Sequence, residues 1–227
     1  MNPPATSSIA TTNASVLLLL FADAILPPAK QDSNMPRPGK PVKVVNLARL
    51  ALAWAFWTLR NRGCVVLEPY DRPARFRIFF ERSRPTVGAR ISGAAAEPGV
   101  EAELLKAAGP DAARSDVSDV VYRWIGQNSD SPSSQVTGRF ASSALELGYF
   151  KVVAAGRGTL GRILKGKTKY EPVDAAIAAA RPAFDECLAQ WQRFESGEAD
   201  LHRVLLAACE HGIDRRYKSD SDAGLDY

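Results

Sequence analysis

One stretch of this sequence is apolar on nearly all sides, and it restricts the fold more than any other. Residues 44–62 read VVNLARLALAWAFWTLRNR, in which only three polar residues interrupt the apolar run before its basic end. A helix on the surface of a domain shows one polar face, whereas a helix that is apolar all round must be covered by other elements. The run therefore predicts a helix at the centre of a mainly helical domain, ended by Gly63, with Trp54 and Trp57 in the core.

A hairpin is predicted directly after this helix. Residues 64–69, CVVLEP, are typical of a strand, YDRP is typical of a turn, and ARFRIFFER is typical of a second strand. In that second strand, apolar side chains alternate with arginine, and alternation places every second side chain on the same face of a sheet. We therefore expect Phe76, Ile78 and Phe80 to point into the core.

A second helix and hairpin follow in the same order. The stretch SSQVTGRFASSALELG predicts an amphipathic helix over 134–147, with its leading serines as side-chain caps and Gly148 as its end. Its inward residues are Val136, Phe140, Ala144 and Leu147. Strands YFKVV and RILKGKTKY then flank a glycine-rich loop. The predicted fold is mainly α: a single helical domain with two β-hairpins, each preceded by a helix.

The other helices are predicted from apolar spacing and from glycine or proline stops. They cover residues 13–26, 99–108, 115–127, 173–194 with an interruption at Pro182, and 199–211 with Gly212 as the closing residue. The 115–127 helix begins at Ser115 or Asp116, and its inward stripe is Val117, Val120, Val121, Trp124 and Ile125.

The length and composition predict one domain with loose ends. The chain has 227 residues, of which 46% are hydrophobic, so it can bury a full core. Residues 1–12 are rich in proline, serine and threonine, and the tail has no apolar periodicity. We expect disorder over 1–12, one helical domain over 13–212, and a disordered tail over 213–227.

Positive charge is unevenly distributed, and the second hairpin holds much of it. The formal net charge is only +4, but eight arginines lie between residues 60 and 90, and no acidic residue lies between Gly148 and Tyr170. The predicted contacts for an anionic ligand are Arg157, Arg162, Lys165, Lys167 and Lys169, with Arg139 behind them. Leu160 is the one large apolar residue at the hairpin tip and is predicted to enter a membrane interface. Each Lys or Arg near an anionic bilayer contributes about 1 kcal/mol, so a few engaged residues suffice for reversible binding.

Catalytic and metal-binding roles are not predicted. Cys209 and His211 are two residues apart on a helix, which turns them about 200° from each other, and His202 lacks further ligands at suitable spacing. The loop AGRGTLGR lacks the Gly-Lys-Ser/Thr ending of a phosphate-binding loop. We therefore expect a non-enzymatic protein with no cofactor and no metal.

Compartment is predicted from the cysteines and from the N-terminal apolar run. Three cysteines lie within apolar patterns, and this odd number fits a reducing interior better than a disulfide framework. The run VLLLLFA at 16–22 has no Lys or Arg before it and is shorter than a membrane span. A cytoplasmic protein without a transmembrane span is therefore expected, peripherally associated with a membrane.

Three stretches, in this order over residues 15–212, resemble the Golgi phosphoprotein 3 family, in particular its bacterial-type members. They are SVLLLLFAD, NLARLALAWAFWTLRNRGCVVLEP, and RFASSALELGYF with KYEPVDAAI after the hairpin. The resemblance implies a mostly helical fold with a hairpin that meets the membrane. The family's eukaryotic members recognise phosphatidylinositol 4-phosphate through arginines and a tryptophan. Where two of those arginines would fall, this chain has Ser134 and Thr137; Arg139 is nearby, and Arg49 is the nearest candidate on the central helix.

The predicted function is binding to an anionic phospholipid surface. One alternative is a winged-helix DNA-binding protein whose 134–147 helix enters the major groove, with Gln135, Thr137 and Ser142 facing the bases. Arg139 is the only cation on that helix, which is few for phosphate anchoring. The other alternative is a scaffold for an acidic protein partner, and a homo-oligomer is a further candidate assembly.

Overall fold

The predicted mainly α fold with two β-hairpins is confirmed. The computed structural model of the chain describes residues 14–29, 40–74, 82–93, 96, 98–108, 115–126, 131–153 and 169–222. The helices in these residues are α1 (Ala14–Leu20), α2 (Val44–Asn61), α3 (Val100–Ala108), α4 (Val117–Ile125), α5 (Pro132–Glu146), α6 (Asp174–Gly197) and α7 (Ala199–Asp222). A short 3₁₀ helix, Ala22–Ala24, follows α1, so the predicted 13–26 helix is divided in two.

The strands form two small antiparallel sheets. They are β1 (Val65–Ala74), β2 (Arg82–Ile91), β3 (Ser115–Asp116), β4 (Phe150–Val153) and β5 (Lys169–Pro172). The first sheet has the order β1-β2-β3, and the second is the β4–β5 hairpin. Each hairpin follows a helix, α2 in the first case and α5 in the second, as the sequence predicts.

Helix α2 occupies the centre of the domain, as predicted. Trp54 is fully buried and Phe56 nearly so, and α2 packs against α1, α3, α5 and α7. The Trp54 ring lies 5.9 Å from Trp57 and 5.5 Å from Trp191, and the Trp57 and Trp191 rings are 5.6 Å apart. The last two helices therefore close over an aromatic cluster that begins on α2.

The first hairpin turns later than predicted. β1 continues through YDRP, and its register with β2 runs from Val65 opposite Ile91 to Ala74 opposite Arg82. Proline and aspartate favour turns, but β1 is an edge strand, where a residue without an N–H does not break a ladder. The predicted turn is therefore wrong, and the second strand is 82–91. Phe76, Ile78 and Phe80 lie outside the described residues.

Helix α7 does not end at Gly212, and the tail is helical to Asp222 instead of disordered from 213. A Cβ atom added at Gly212 would lie 2.7 Å from the Val121 Cβ and 2.8 Å from the Ser118 carbonyl oxygen. The glycine thus permits a close approach of α7 to α4 instead of ending the helix. Ile213, the next residue, and Arg216, one turn on, are both buried. The ends of the chain, 1–13 and 223–227, lie outside the described residues.

Helix α5 differs from its prediction at both ends. It starts at Pro132, and its N-cap, Ser131, makes no side-chain capping bond, so the predicted serine cap is wrong. Proline suits the first helical position because its missing N–H has no helical partner there. Three of the predicted inward residues are buried, but Leu147, which caps the C-terminus, is exposed. Gly148 follows in a left-handed conformation, with φ of 79°, as a helix stop requires.

Helix α4 agrees closely with its prediction, and α6 is the predicted long helix, which does not restart at Pro182. The Asp116 side chain caps α4 by accepting a hydrogen bond from the Ser118 backbone N–H, and the predicted apolar stripe is buried. Helix α6 is continuous from Asp174 to Gly197 with Pro182 inside it.

Candidate functional site

The predicted anion-binding residues divide between described and undescribed parts of the chain. Arg157, Leu160, Arg162, Lys165 and Lys167 lie outside the described residues. Lys169 is the first residue of β5 and stands opposite Val153. Arg139 is on α5. Most of the predicted cations therefore lie in the sequence between β4 and β5.

The base of this hairpin holds an ion pair that the charge count from the sequence missed. Lys151 stands opposite Glu171, and its Nζ atom is 3.4 Å from the Glu171 Oε2 atom. The acid lies one residue beyond the stretch without acidic residues. Both side chains are exposed, and ion pairs of this kind contribute about 0–1 kcal/mol. The pair therefore adds little to the stability of the hairpin.

Backbone hydrogen bonds fix the hairpin base to the helices on either side. The Tyr149 N–H donates to the Ala144 carbonyl oxygen at 2.9 Å, and the Val173 N–H donates to the Tyr149 carbonyl oxygen at 2.9 Å. The Phe150 side chain is buried in the core. Burial also raises the pKa of the Tyr149 hydroxyl. The strands therefore start from a fixed position on the end of α5.

Two apolar side chains at this base face solvent. Leu147 is 51% exposed and Val152 is 56% exposed, which makes them the two most exposed large apolar residues of the described chain. Val152 follows Lys151 on β4, and Leu147 ends α5 just before the strand. Apolar and basic residues thus occur together at the end of α5 and on β4.

Arg139, on α5, contacts residues of α3 and α4. One of its guanidinium nitrogens, Nη1, is 3.0 Å from the Glu103 Oε2 atom, and its guanidinium carbon lies 4.6 Å from the Trp124 ring centre. The Trp124 indole N–H donates to the same Glu103 oxygen at 3.0 Å. In the described chain, Arg139 is therefore a partner of Glu103 and Trp124, and not of the hairpin.

Arg139 lines an open groove of about 420 Å³ between α3 and α5. Lys106 and Arg139 supply its positive charge, and Glu103 and Glu146 supply its negative charge. The groove is thus balanced in charge. It is therefore a weak candidate for binding an anionic ligand, although Arg139 was predicted to contact one.

A second charged cluster, which the sequence did not predict, lies where the first sheet meets α4 and α7. At its centre Asp116 is only 5% exposed. Its carboxylate accepts hydrogen bonds from the Ser118 N–H at 2.7 Å, the Thr86 hydroxyl at 2.8 Å and the Tyr70 hydroxyl at 3.1 Å. Burial raises the pKa of Asp116, but these hydrogen bonds outweigh that effect and hold the pKa below its ordinary value.

Arginines from distant parts of the sequence surround this carboxylate and its neighbour Asp119. Arg72 Nη1 is 2.7 Å from Asp119 Oδ2 and 3.5 Å from Asp116 Oδ2. Arg215 pairs with the other Asp119 oxygen. Arg84 stands directly opposite Arg72 in the β1–β2 register. The sequence placed Arg215 in a disordered tail, so only the charge density of residues 60–90 hinted at this cluster.

The three cysteines are buried, and the His202 ring packs against aromatic rings. Cys64, Cys187 and Cys209 are buried and free, and burial raises the pKa of Cys187 to about 11. The His202 ring packs 5.0 Å from the Trp191 ring. Among the described residues, no group of three or more side chains is arranged to hold a metal ion.

The predicted DNA-reading face of α5 is partly inaccessible. Thr137 is buried, and its hydroxyl donates to the carbonyl oxygens of Ser133 and Ser134. A hydroxyl in this position cannot contact a base edge, although Ser142 is exposed.

Comparison of the chain with known proteins identifies no relative. No protein-family model, no curated protein and no solved structure matches the chain. The resemblance to the Golgi phosphoprotein 3 family stays a prediction. Within the described residues, every helix is too short or too polar to cross a bilayer.

Proposed function

We propose that the protein binds anionic membrane surfaces reversibly, through the β4–β5 hairpin and the base from which it projects. The observation that carries this proposal is the exposure of Leu147 and Val152, at 51% and 56%, beside a stretch of chain with six cations. A basic stretch next to exposed apolar side chains matches the two parts of a bilayer surface, its anionic headgroups and its apolar interior.

The energies involved are sufficient for weak, reversible binding. Each cation near an anionic surface contributes about 1 kcal/mol, and full burial of a Leu or Val side chain contributes about 1.5–3 kcal/mol. Four engaged cations with one inserted side chain correspond to a dissociation constant of about 10–100 μM, before other entropic costs of binding are subtracted. No covalent chemistry is required, so the proposed role is non-enzymatic.

The attachment of the hairpin favours this role. Phe150 is buried, and the backbone bonds of Tyr149 join the hairpin to α5, which itself packs on the central helix α2. A base that is already ordered before binding lowers the entropy lost on binding. The proposed location is the cytoplasmic side of a membrane, in accord with the odd number of cysteines.

The DNA-binding alternative is less favoured, because the burial of Thr137 removes one of the three positions proposed to read bases. The scaffold alternative predicts binding to an acidic protein in the absence of lipid. It is therefore distinguished by the same experiment, since such a protein would not sediment with vesicles.

Vesicle co-sedimentation tests the proposal. Wild-type protein is expected to sediment with vesicles of phosphatidylcholine and phosphatidylserine, but not with phosphatidylcholine alone, and high salt should weaken binding because it screens the field. Lys165→Glu with Lys167→Glu should abolish binding. The matched control is Lys43→Glu with Arg193→Glu, the same charge change at two exposed positions outside the hairpin, which should leave most binding intact.

A second pair of variants tests the apolar contribution. Val152→Ser and Leu160→Ser should each weaken vesicle binding by a smaller factor that high salt does not reproduce, because they remove insertion and not long-range attraction. Equal sedimentation of the wild type with neutral and anionic vesicles, or equal losses in the hairpin and control variants, would refute the proposal.

A further inference from the structure

The groove between α3 and α5 has the size of a site for a small ligand. Its volume is about 420 Å³, and small-molecule sites in proteins measure about 300–1,000 Å³. Among the described residues that line it, four are charged and the others are a glycine, an alanine and two serines. Because this lining has no large apolar side chain, the groove suits a polar ligand.

An ion pair in this groove is held in one orientation by the core. Arg139 Nη1 is 3.0 Å from Glu103 Oε2, and the Trp124 indole N–H donates to that same oxygen at 3.0 Å. The Arg139 guanidinium carbon also lies 4.6 Å from the centre of the Trp124 ring. Trp124 is only 4% exposed, so its own position is fixed by packing. The indole therefore orients both the carboxylate and the guanidinium.

Both members of the pair keep unused hydrogen-bonding capacity. The two bonds to Glu103 use its Oε2 atom, and Oε1 has no hydrogen-bond partner within the described chain. Arg139 likewise uses only Nη1 there, so the N–H groups of Nη2 and Nε remain available. Glu103 is exposed and Arg139 is partly exposed. A ligand in the groove can therefore reach a carboxylate oxygen and guanidinium donors that lie side by side.

Two further side chains of opposite charge line the same groove. Lys106 lies about one turn after Glu103 on α3, and Glu146 lies two turns after Arg139 on α5. Both are exposed, and neither forms an ion pair or a side-chain hydrogen bond with a described residue. A purely anionic ligand is repelled by the two carboxylates, and a purely cationic one by Lys106 and Arg139. A ligand that carries both charges is attracted by all four residues.

We propose that this groove binds a free polar amino acid, with the ligand's carboxylate on Arg139 and its ammonium group on Glu103. The two charged groups of an amino acid are attached to one carbon atom, so they are neighbours, as the charges of Glu103 and Arg139 are. Guanidinium presents a fixed fork of donors that suits a carboxylate. Lys106, Glu146 and the serine hydroxyls are left for the ligand's polar side chain. The proposal does not depend on the proposed membrane function.

Binding is tested with the full chain by titration calorimetry and thermal unfolding, with L-serine, L-glutamine, L-glutamate and L-lysine in turn. At least one should bind with a dissociation constant on the order of 1 mM or lower, because two charged hydrogen bonds form in an open groove. Its addition should raise Tm. The NMR signal of the Trp124 indole N–H, assigned from its loss in Trp124→Phe, should shift because that group shares the Glu103 carboxylate.

Two derivatives of the amino acid that binds test whether both charges are needed. The N-acetyl derivative lacks the ammonium charge, and the α-amide lacks the carboxylate. Each should bind at least about tenfold more weakly than the parent, because one charged hydrogen-bond partner is lost. L-leucine keeps both charges but has an apolar side chain, and it should bind more weakly than the parent because the lining offers no large apolar contact.

Protein variants test the assignment to Arg139. Arg139→Gln should weaken binding at least about tenfold, and Arg139→Lys should weaken it less because the charge is kept. Arg181→Gln is the matched control, since Arg181 on α6 also pairs with a carboxylate, Asp185 at 2.8 Å, and lies 5.5 Å from the Phe184 ring centre. It should bind like the wild type. Without ligand, Arg139→Gln should unfold at nearly the wild-type temperature, because exposed ion pairs contribute little.

The source of the zwitterion is tested with phosphatidylserine vesicles, whose headgroup also carries an ammonium and a carboxylate group. The free amino acid is expected to bind without any vesicle, and Arg139→Gln should sediment with these vesicles to the same extent as the wild type. The proposal is overturned if none of the four amino acids binds, or if both derivatives bind like the parent. An equal loss in Arg181→Gln, or binding only when the zwitterion belongs to a lipid, also overturns it.

Discussion

The two hairpins have the same order of elements, but they use positive charge differently. The first, β1–β2, pairs over ten residues on each strand, and it is covered by α4 and α7. Among the described residues, the second hairpin, β4–β5, pairs over four residues on each strand and is joined to α5 through the backbone of Tyr149. In the first hairpin Arg72 is held by Asp119 and Asp116, whereas at the second Lys151 has an exposed partner in Glu171.

The difference teaches that a basic hairpin is not by itself evidence of an anionic partner. Arginines on a strand can form ion pairs with acidic residues from elsewhere in the fold, as Arg72 does with Asp119. Arg215 of α7 pairs with the same aspartate. What distinguishes the second hairpin is the stretch from Gly148 to Tyr170, which has no acidic residue, and the exposure of Val152. The following predictions separate the structural role of the charged cluster around Asp116 from the proposed membrane-binding role of the β4–β5 hairpin.

The largest effect is expected for Asp116→Ala. This change removes the cap of α4, leaves the buried Thr86 hydroxyl without its acceptor next to the Arg72 charge, and removes one hydrogen bond of Tyr70. Breaking one side of a buried charged network reduces the free energy of unfolding by about 3–5 kcal/mol. Chemical denaturation measures the loss. Glu171→Ala, at the base of the second hairpin, should stay within about 1 kcal/mol of the wild type; equal losses would remove the distinction between the hairpins.

The next effect concerns the crossing of α7 over α4. Gly212→Ala places a Cβ 2.7 Å from the Val121 Cβ, so the helices must separate, at about 1–3 kcal/mol of stability. The control is Gly138→Ala on α5, where an added Cβ meets no atom within 4 Å. That variant should be more stable than the wild type by about 0.5–1 kcal/mol, since alanine favours helices. Thermal unfolding of the two variants should therefore shift in opposite directions.

A smaller effect is expected from pH. The pKa of His211 is about 4 in the folded protein and near the ordinary 6.5 in the unfolded chain, so the unfolded state binds more protons between these values. Stability should therefore fall as pH decreases from about 6.5 to 4. Asp116, whose pKa is depressed, adds a loss only below its ordinary pKa of 3.8. His211→Gln should flatten the slope of unfolding free energy between pH 6.5 and 4, and a slope equal to that of the wild type would contradict this assignment.

The smallest effect is expected for Lys151→Ala at the second hairpin. Its exposed pair with Glu171 should contribute less than about 1 kcal/mol to stability, and the loss should decrease with added salt. Urea denaturation at two salt concentrations measures this. A loss as large as that of Asp116→Ala would mean that the second hairpin is an internal element like the first.

The sequence predicted those parts of the fold that local pattern determines. Every face of the α2 run is apolar, so the sequence predicts burial of the whole helix. The apolar stripe of α4 and its Asp116 cap are also visible in a few neighbouring residues. Other positions have two readings that local sequence does not separate. YDRP is a turn unless it lies on an edge strand, and Gly212 ends a helix unless another helix crosses it closely.

The candidate sites were less predictable because they depend on distant partners. Arg72 and Asp119 are 47 residues apart, and Arg215 and Asp119 are 96 apart, so no spacing rule connects them. Arg139 appeared free in the sequence because its partner, Glu103, lies on a different helix. The basic stretch of the second hairpin was visible, but the exposure of Leu147 and Val152 beside it required the fold.

The most direct test of the membrane account asks which hairpin contacts the bilayer. Leu160→Cys and Arg90→Cys place one labelling site on each hairpin, while the three native cysteines are buried. With an environment-sensitive fluorophore attached, the emission of the label at 160 should shift to the blue on addition of phosphatidylserine vesicles, and the label at 90 should not respond. A shift at 90 alone, or no shift at either position under conditions where the protein binds, would contradict the assignment of the β4–β5 hairpin as the membrane-binding element.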